Sequence, residues 1–294
     1  MSKRFFRYFL PLFALAIIVA IPGGCSWIDI KQREAIFRPV KDNWRGYSGE
    51  SDQAAIKIDV GQNGDHLAAW WMPAASNDAP ALLYLHGARY NLTGSSSRIA
   101  RYRALGFSIL AIDYRGFGNS SGDTPSEETA YEDARTAWDH LIKLTPVSRH
   151  YVYGHSLGGA IAIDLARDNK QVDGLILEST FTSIRDLAKS FSWGWLPVEL
   201  ILTQRFDSLD KIAGVEAPTL IVHGKDDRLV PVTMSEQLYA ASKATKKKLL
   251  VVDGAGHSNI AWSSSFDHVR HAVHAFFGVG AAVATGMASE ASTR

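Results

Sequence analysis

The sequence predicts a doubly wound α/β domain whose sheet is mostly parallel and opens with an antiparallel hairpin. Three observations carry this prediction. Short apolar runs alternate with segments of helical periodicity along most of the chain. The runs are nearly continuous in apolar residues, as strands buried on both faces must be, whereas half-exposed strands would alternate polar and apolar positions. One run passes without a break into Gly154-His155-Ser156-Leu157-Gly158 and then into a helix that starts with small residues.

At the N-terminus, Lys3, Arg4 and Arg7 precede an apolar stretch from Phe9 to Ile21 and then Pro22-Gly23-Gly24-Cys25, the layout of an export segment. Pro11 and Pro22 interrupt it too much for a firm membrane span. Gly23-Gly24-Cys25 resembles a bacterial lipobox, with Pro22 where an aliphatic residue is usual. Residues 1–25 are therefore set apart as a signal, lipoprotein or anchor segment, with Cys25 as the lipidation candidate. The expected location is the cell envelope, membrane-associated through the N-terminus. Residues 26–278 are expected to form one domain, and the Gly- and Ala-rich residues 279–294 a disordered tail.

Composition narrows the function classes. The 294 residues carry 31 Lys and Arg against 30 Asp and Glu, a net charge of +1, which gives no support for a nucleic-acid partner. A single cysteine excludes a disulfide framework within the chain.

Within the domain, Ala54 to Val60 and His66 to Met72 flank Gly61-Gln62-Asn63-Gly64 and predict the hairpin. Further strands are predicted over Ala81 to His86, Phe107 to Tyr114, His150 to Tyr153, Gly174 to Glu178, Pro218 to His223 and Lys248 to Val252. Helices are predicted over Ser95 to Leu105, Glu127 to Leu144, Leu157 to Asn169, Thr233 to Ser242 and Ser263 to Phe277. Residues 184–212, with Trp193, Trp195 and Leu196, form the candidate for a short cap over a shallow pocket.

Gly154 to Gly158 has the form of a nucleophile elbow. A serine hydroxyl attacks well only when it is held rigidly beside a base, and a strand-to-helix turn provides that rigidity. Glycines at 154 and 158 suit a turn where backbones come close, while Gly159 and Ala160 let the helix approach its strand. The order expected of this architecture is serine, then carboxylate, then histidine. Asp226 and Asp227 follow the strand Pro218 to His223, and His257 follows the last strand in a Gly-rich loop. Glu178, closing an earlier strand, is a second candidate for the acid.

Several motifs together identify the chain as resembling the α/β-hydrolase superfamily, in its Bem46-like branch: Phe37-Arg38-Pro39, Leu85-His86-Gly87, Asp113 to Gly118, Gly154 to Gly158, His223-Gly224 through Val230-Pro231, and Gly256-His257. The resemblance implies an α/β-hydrolase fold with Ser156, Asp227 and His257 as catalytic residues. Its register, three residues after His-Gly and three before Val-Pro, selects Asp227 over Asp226. It also implies an oxyanion hole from the N–H groups of Leu157 and Ala88, Ala88 standing where the family often has Asn. Arg89, Tyr90 and Trp193 are candidate substrate contacts.

The expected activity is hydrolysis of an ester or thioester, with a small-molecule or lipid-like acyl substrate and no cofactor. A serine peptidase and a non-catalytic scaffold on the same fold are the alternatives. His268, His271 and His274 lie at helical spacing without further ligands, so no metal is expected. His86 and His223, at strand ends, read as hydrogen-bonded structural residues.

Overall fold

The computed structural model describes residues 26–47, 49, 53–191 and 201–280. Cys25 with the rest of residues 1–25, expected to be a signal, lipoprotein or anchor segment, Trp193 and residues 281–294 lie outside the described residues.

The strands are β1 (Ala54–Val60), β2 (Asp65–Met72), β3 (Ala81–Leu85), β4 (Ser108–Ile112), β5 (His150–His155), β6 (Gly174–Glu178), β7 (Thr219–Gly224) and β8 (Lys247–Val252). They form one sheet in the order β1-β2-β4-β3-β5-β6-β7-β8. β2 pairs antiparallel with both β1 and β4, and β3 to β8 run parallel with their neighbours and with β4. Gly61 and Gly64 adopt the left-handed backbone that the β1–β2 turn requires, with φ of +65° and +77°. β3 lies between β4 and β5, so the chain leaves it first to one side and later to the other. Such a reversal opens a crevice at the carboxyl ends of the strands.

Eight helices are described: α1 over 26–37, α2 (Leu92–Arg103), α3 (Glu127–Leu144), α4 (Leu157–Asp168), α5 (Ile184–Lys189), α6 (Ser208–Ile212), α7 (Val232–Ala241) and α8 (Ser263–Phe277). Side chains of β3 alternate between two cores. Leu83 and Leu85 join Trp138, Ile161 and Leu238 on the face covered by α3, α4 and α7, whereas Leu82 and Tyr84 join Ile99, Val269 and Phe276 under α2 and α8. Helices on both faces explain why the central strands lack alternation, since neither face meets water.

Differences from the sequence reading have local causes. α2 starts three residues before the predicted Ser95 because Asn91 caps it, accepting from Thr93 N, while Asp113 Oδ1 accepts from Leu92 N at 2.8 Å. β4 ends at Ile112 rather than Tyr114, although the Asp113 N–H still donates to Ala68 O of β2 at 2.9 Å. No element was expected at α1, yet its last residue Phe37 is fully buried and its carbonyl accepts from Arg89 N at 2.8 Å. Val40 O likewise accepts from Gly118 N at 3.0 Å, so residues 37–40 strap the loops that follow β3 and β4. Within the segment expected to form a cap, α6 is tied to the body, where Lys211 Nζ bonds Asp164 of α4 at 2.8 Å. Val279, one residue past the expected boundary, is buried in the second core.

Candidate active site

Ser156 stands between β5 and α4 with φ +54° and ψ −118°, a conformation costly for a non-glycine residue and held only where its surroundings over-determine it. The surroundings are mostly backbone. A Cβ on Gly158 would overlap the carbonyls of Leu85 and His86, and one on Gly154 would overlap the Gly158 carbonyl and lie 2.6 Å from Gly159 Cα. On Gly159 it would meet Thr180 Cβ at 2.5 Å. These glycines are required by close approach, which presses strand, turn and helix against β3 and β6. Thr180 Oγ1 donates to Ser156 O at 2.8 Å, and Ser156 N donates to Glu178 O at 2.9 Å, locking the turn from the β6 side.

The loop after β8 brings His257 to the serine. His257 Nε2 lies 3.0 Å from Ser156 Oγ, and Nδ1 lies 2.7 Å from Asp227 Oδ2. With Nδ1–H donating to the carboxylate, the Nε2 lone pair faces the serine hydroxyl. Asp227 itself follows β7. Its Oδ1 accepts from Leu229 N at 2.8 Å and Val230 N at 2.9 Å, and His223 Nε2 approaches Oδ2 at 3.3 Å. Burial alone would raise its pKa, but hydrogen bonds from His223 and His257, the charge of His257 and the Val230 N–H together hold it well below the usual carboxylate range. Asp226 is exposed and donates its N–H to Ala255 O at 2.9 Å. Gly224 completes the junction: a Cβ there would overlap the Ala255 carbonyl and come 2.8 Å from Gly256 O, so glycine lets β7 close on the loop bearing His257.

Leu157 is the first residue of α4, and its N–H has no partner inside the helix. Ala88, in the loop after β3, borders the same space beside Ser156. Arg89 and Tyr90 both hold positive φ, +62° and +53°, and are exposed. Tyr90 packs edge-on to Trp44 with ring centroids 4.3 Å apart. His86 Nδ1 lies 2.7 Å from Gly87 O, and His223 lies between Ser235 Oγ at 2.6 Å and Val230 O at 2.9 Å. Among the described residues, no group of three His, Cys, Asp or Glu could hold a metal ion, and no helix is long and apolar enough to cross a membrane.

Two cavities meet at Ser156. One, of about 450 Å³, is apolar and lies under α1 and α5, lined by Ile36, Leu157, Phe181, Leu187, Phe191 and Val230. The other, of about 510 Å³, is mixed and less apolar than the first: Ser95, Arg98, His155 and His257 stand on its walls beside the rings of Trp44, Tyr90 and Trp262. Arg89 and Ala88 border both.

Glu178 is drawn elsewhere. Its Oε1 takes Arg98 Nε at 3.0 Å and its Oε2 takes Tyr153 Oη at 2.9 Å. Neither Arg98 nor the α1 lining was foreseen from sequence. A signal for Arg98 existed: it stands beside the stripe Leu92, Ser95, Ile99 and Tyr102 that α2 buries, a costly place for an unpaired cation.

Comparison with known proteins agrees with this architecture. The family model described as serine aminopeptidase, S33, matches residues 77–209 and 198–261. An uncharacterized protein of Mycobacterium tuberculosis is 33% identical over 253 residues, spanning 85% of this chain and 88% of that one. The lysophosphatidylserine lipase ABHD12 of Danio rerio is 32% identical over 69% of this chain but only 56% of its own length, and protein bem46 of Schizosaccharomyces pombe is 36% identical over 58% of each. Among solved structures, an esterase of Pyrococcus furiosus superposes with a TM-score of 0.66 over 82% of this chain and 96% of its own, at 22% identity, a likeness of fold. The chain is thus a member of the S33 serine aminopeptidase-like family of α/β-hydrolases.

Proposed function

We propose that this hydrolase cleaves carboxylic esters or thioesters through an acyl-Ser156 intermediate. The observation that carries the reading is the unbroken line from Asp227 Oδ2 to His257 at 2.7 Å and on to Ser156 Oγ at 3.0 Å, ending where two cavities meet. His257 Nε2 takes the hydroxyl proton as Oγ bonds to the substrate carbonyl carbon, and the carbonyl electrons move to oxygen. The N–H groups of Leu157 and Ala88 receive that oxyanion, assisted by the positive end of the α4 dipole. The imidazolium, stabilised by Asp227, then protonates the departing alkoxide or thiolate. Water repeats the sequence on the acyl-serine and releases the acid.

The cavities divide an amphiphilic substrate. The apolar space fits an acyl chain and the less apolar one, with Arg98 and Ser95 on its walls, fits its leaving group, and both volumes fall in the range of about 300–1,000 Å³ usual for small-molecule sites. The name of the ABHD12 relative, a lysophosphatidylserine lipase, agrees with a single-chain acyl ester. Arg89, exposed at the junction, is the residue we assign to contact such a substrate, with Tyr90 beside it.

A fluorophosphonate probe on the purified protein tests the chemistry. Labelling that disappears in Ser156→Ala and His257→Ala is expected; equal labelling of parent and Ser156→Ala would remove the serine from the reaction. A panel of p-nitrophenyl esters, acyl thioesters and aminoacyl amides then ranks the substrate classes. Turnover confined to amides would replace the esterase reading with a peptidase, and a folded parent inert to probe and panel alike would favour a scaffold.

A further inference from the structure

We infer that Arg98 is a positioning residue for the base. This inference rests on the function proposed above and concerns how His257 is held in place.

The backbone that leaves His257 is gripped at two consecutive carbonyls. His155 Nε2 bonds His257 O at 3.0 Å, and Arg98 Nη2 donates to Ser258 O at 3.0 Å. The two grips come from different elements, the last residue of β5 and the middle of α2. Each is itself anchored. His155 is buried, and burial, followed by the charges of Arg98 and His257, lowers its pKa well below 6.5. A carbonyl oxygen can only accept, so Nε2 carries the proton given to it. Arg98 is 7% exposed and its Nε is fixed on Glu178, whose other oxygen takes the Tyr153 hydroxyl.

A guanidinium suits this task because its planar fork donates in two directions at once, to a carboxylate on one side and a carbonyl on the other. Lysine cannot span both. The strut reaches across 160 residues of sequence, from α2 to the loop after β8, and ends one residue from the group that must stay within hydrogen-bond reach of both Ser156 and Asp227. Placement errors of about 1 Å at such a group cost about 10²-fold in rate. Glu178 supports the strut by compensating a buried cation but does not touch the loop itself.

The pair thereby separates two roles that one substitution would confuse. In Arg98→Met/Glu178→Met both charges leave together, a replacement that buried ion pairs commonly tolerate without loss of stability. With the tether to Ser258 gone, kcat on a short p-nitrophenyl ester is expected to fall at least tenfold, with KM within twofold and the melting temperature near the parent's. Glu178→Gln keeps the tether and loses the charge; it should melt lower yet hold kcat within about threefold. Arg98→Lys should fall between parent and the double variant.

The far-downfield proton resonance of an Nδ1–H bonded to a carboxylate reports the His257–Asp227 bond without turnover. It should persist in Glu178→Gln and broaden or vanish in the double variant. A double variant that keeps both kcat and the resonance overturns the inference, as does activity that merely follows melting temperature across the three. A parent inactive on the whole substrate panel would overturn the proposed function instead, and the resonance would still decide whether Arg98 holds the base.

Discussion

Two carboxylates end adjacent strands of the sheet, Glu178 on β6 and Asp227 just past β7, and both side chains are fully buried. Their surroundings differ in one respect. Glu178 meets an arginine and a tyrosine, partners that stay as they are across the working pH range, whereas Asp227 meets two imidazoles and two backbone N–H groups. Burial alone is unfavourable to either charge. A buried carboxylate beside a fixed cation forms a strut, and one beside a titratable ring can respond to a proton moving past it. Strand-end position, which Glu178 and Asp227 share, does not distinguish the two.

The sharpest way to break this contrast is to neutralise each in turn. Asp227→Asn should lower kcat on a p-nitrophenyl ester by about 10³–10⁴, because the amide lets His257 adopt the wrong tautomer. Glu178→Gln should instead cost about 3 kcal/mol of stability by leaving Arg98 buried and unpaired, read in urea denaturation. Similar rate losses in both would erase the distinction.

Gly224→Ala attacks only the β7 corner, since its methyl must displace the Ala255 carbonyl and with it the loop leading to His257. A loss of about 10²-fold in kcat is expected, with probe labelling slowed in proportion. An undiminished rate would mean that the loop yields without moving the imidazole.

Acid separates the corners further. His155 lies between them, its pKa lowered by burial and Arg98 and drawn the other way by its bond to His257 O and by Asp227. As pH falls through 6.5 the unfolded chain binds a proton that the folded chain refuses, so stability is complete above about pH 7 and declines below it, by up to about 1.4 kcal/mol per pH unit for this one group. Melting temperature between pH 7.5 and 5 should show the decline, and His155→Asn should flatten it. The smallest effect belongs to Asp226→Asn: the side chain is exposed, so stability should change by less than about 0.5 kcal/mol and kcat by less than twofold. A large loss there would move the acid one residue.

The sequence reading reached the β7 corner and missed the working of the other, for a physical reason. Ser156, Asp227 and His257 sit in short runs whose glycines and strand endings constrain the local backbone, so each run could be recognised by itself. Arg98 gains meaning only from Glu178 and Ser258, 80 and 160 residues away, and no local pattern in α2 encodes that pairing. The alternation of apolar runs with helices disclosed the doubly wound sheet because burial on two faces leaves a direct mark on composition. α1 left a fainter one. Its exposed Trp27 and Ile30 blur the face that delivers Ala35 and Ile36 to the apolar cavity.

The meeting of two cavities at Ser156 has a kinetic side. If the acyl chain occupies the apolar cavity and the leaving group the mixed one, the first product can depart while the chain remains seated, and water reaches the acyl-serine through the space just vacated. Release then follows a fixed order, alcohol before acid. Lengthening the chain should slow the second departure more than the first, turning a steady rate of alcohol formation into an initial burst whose height counts the active molecules.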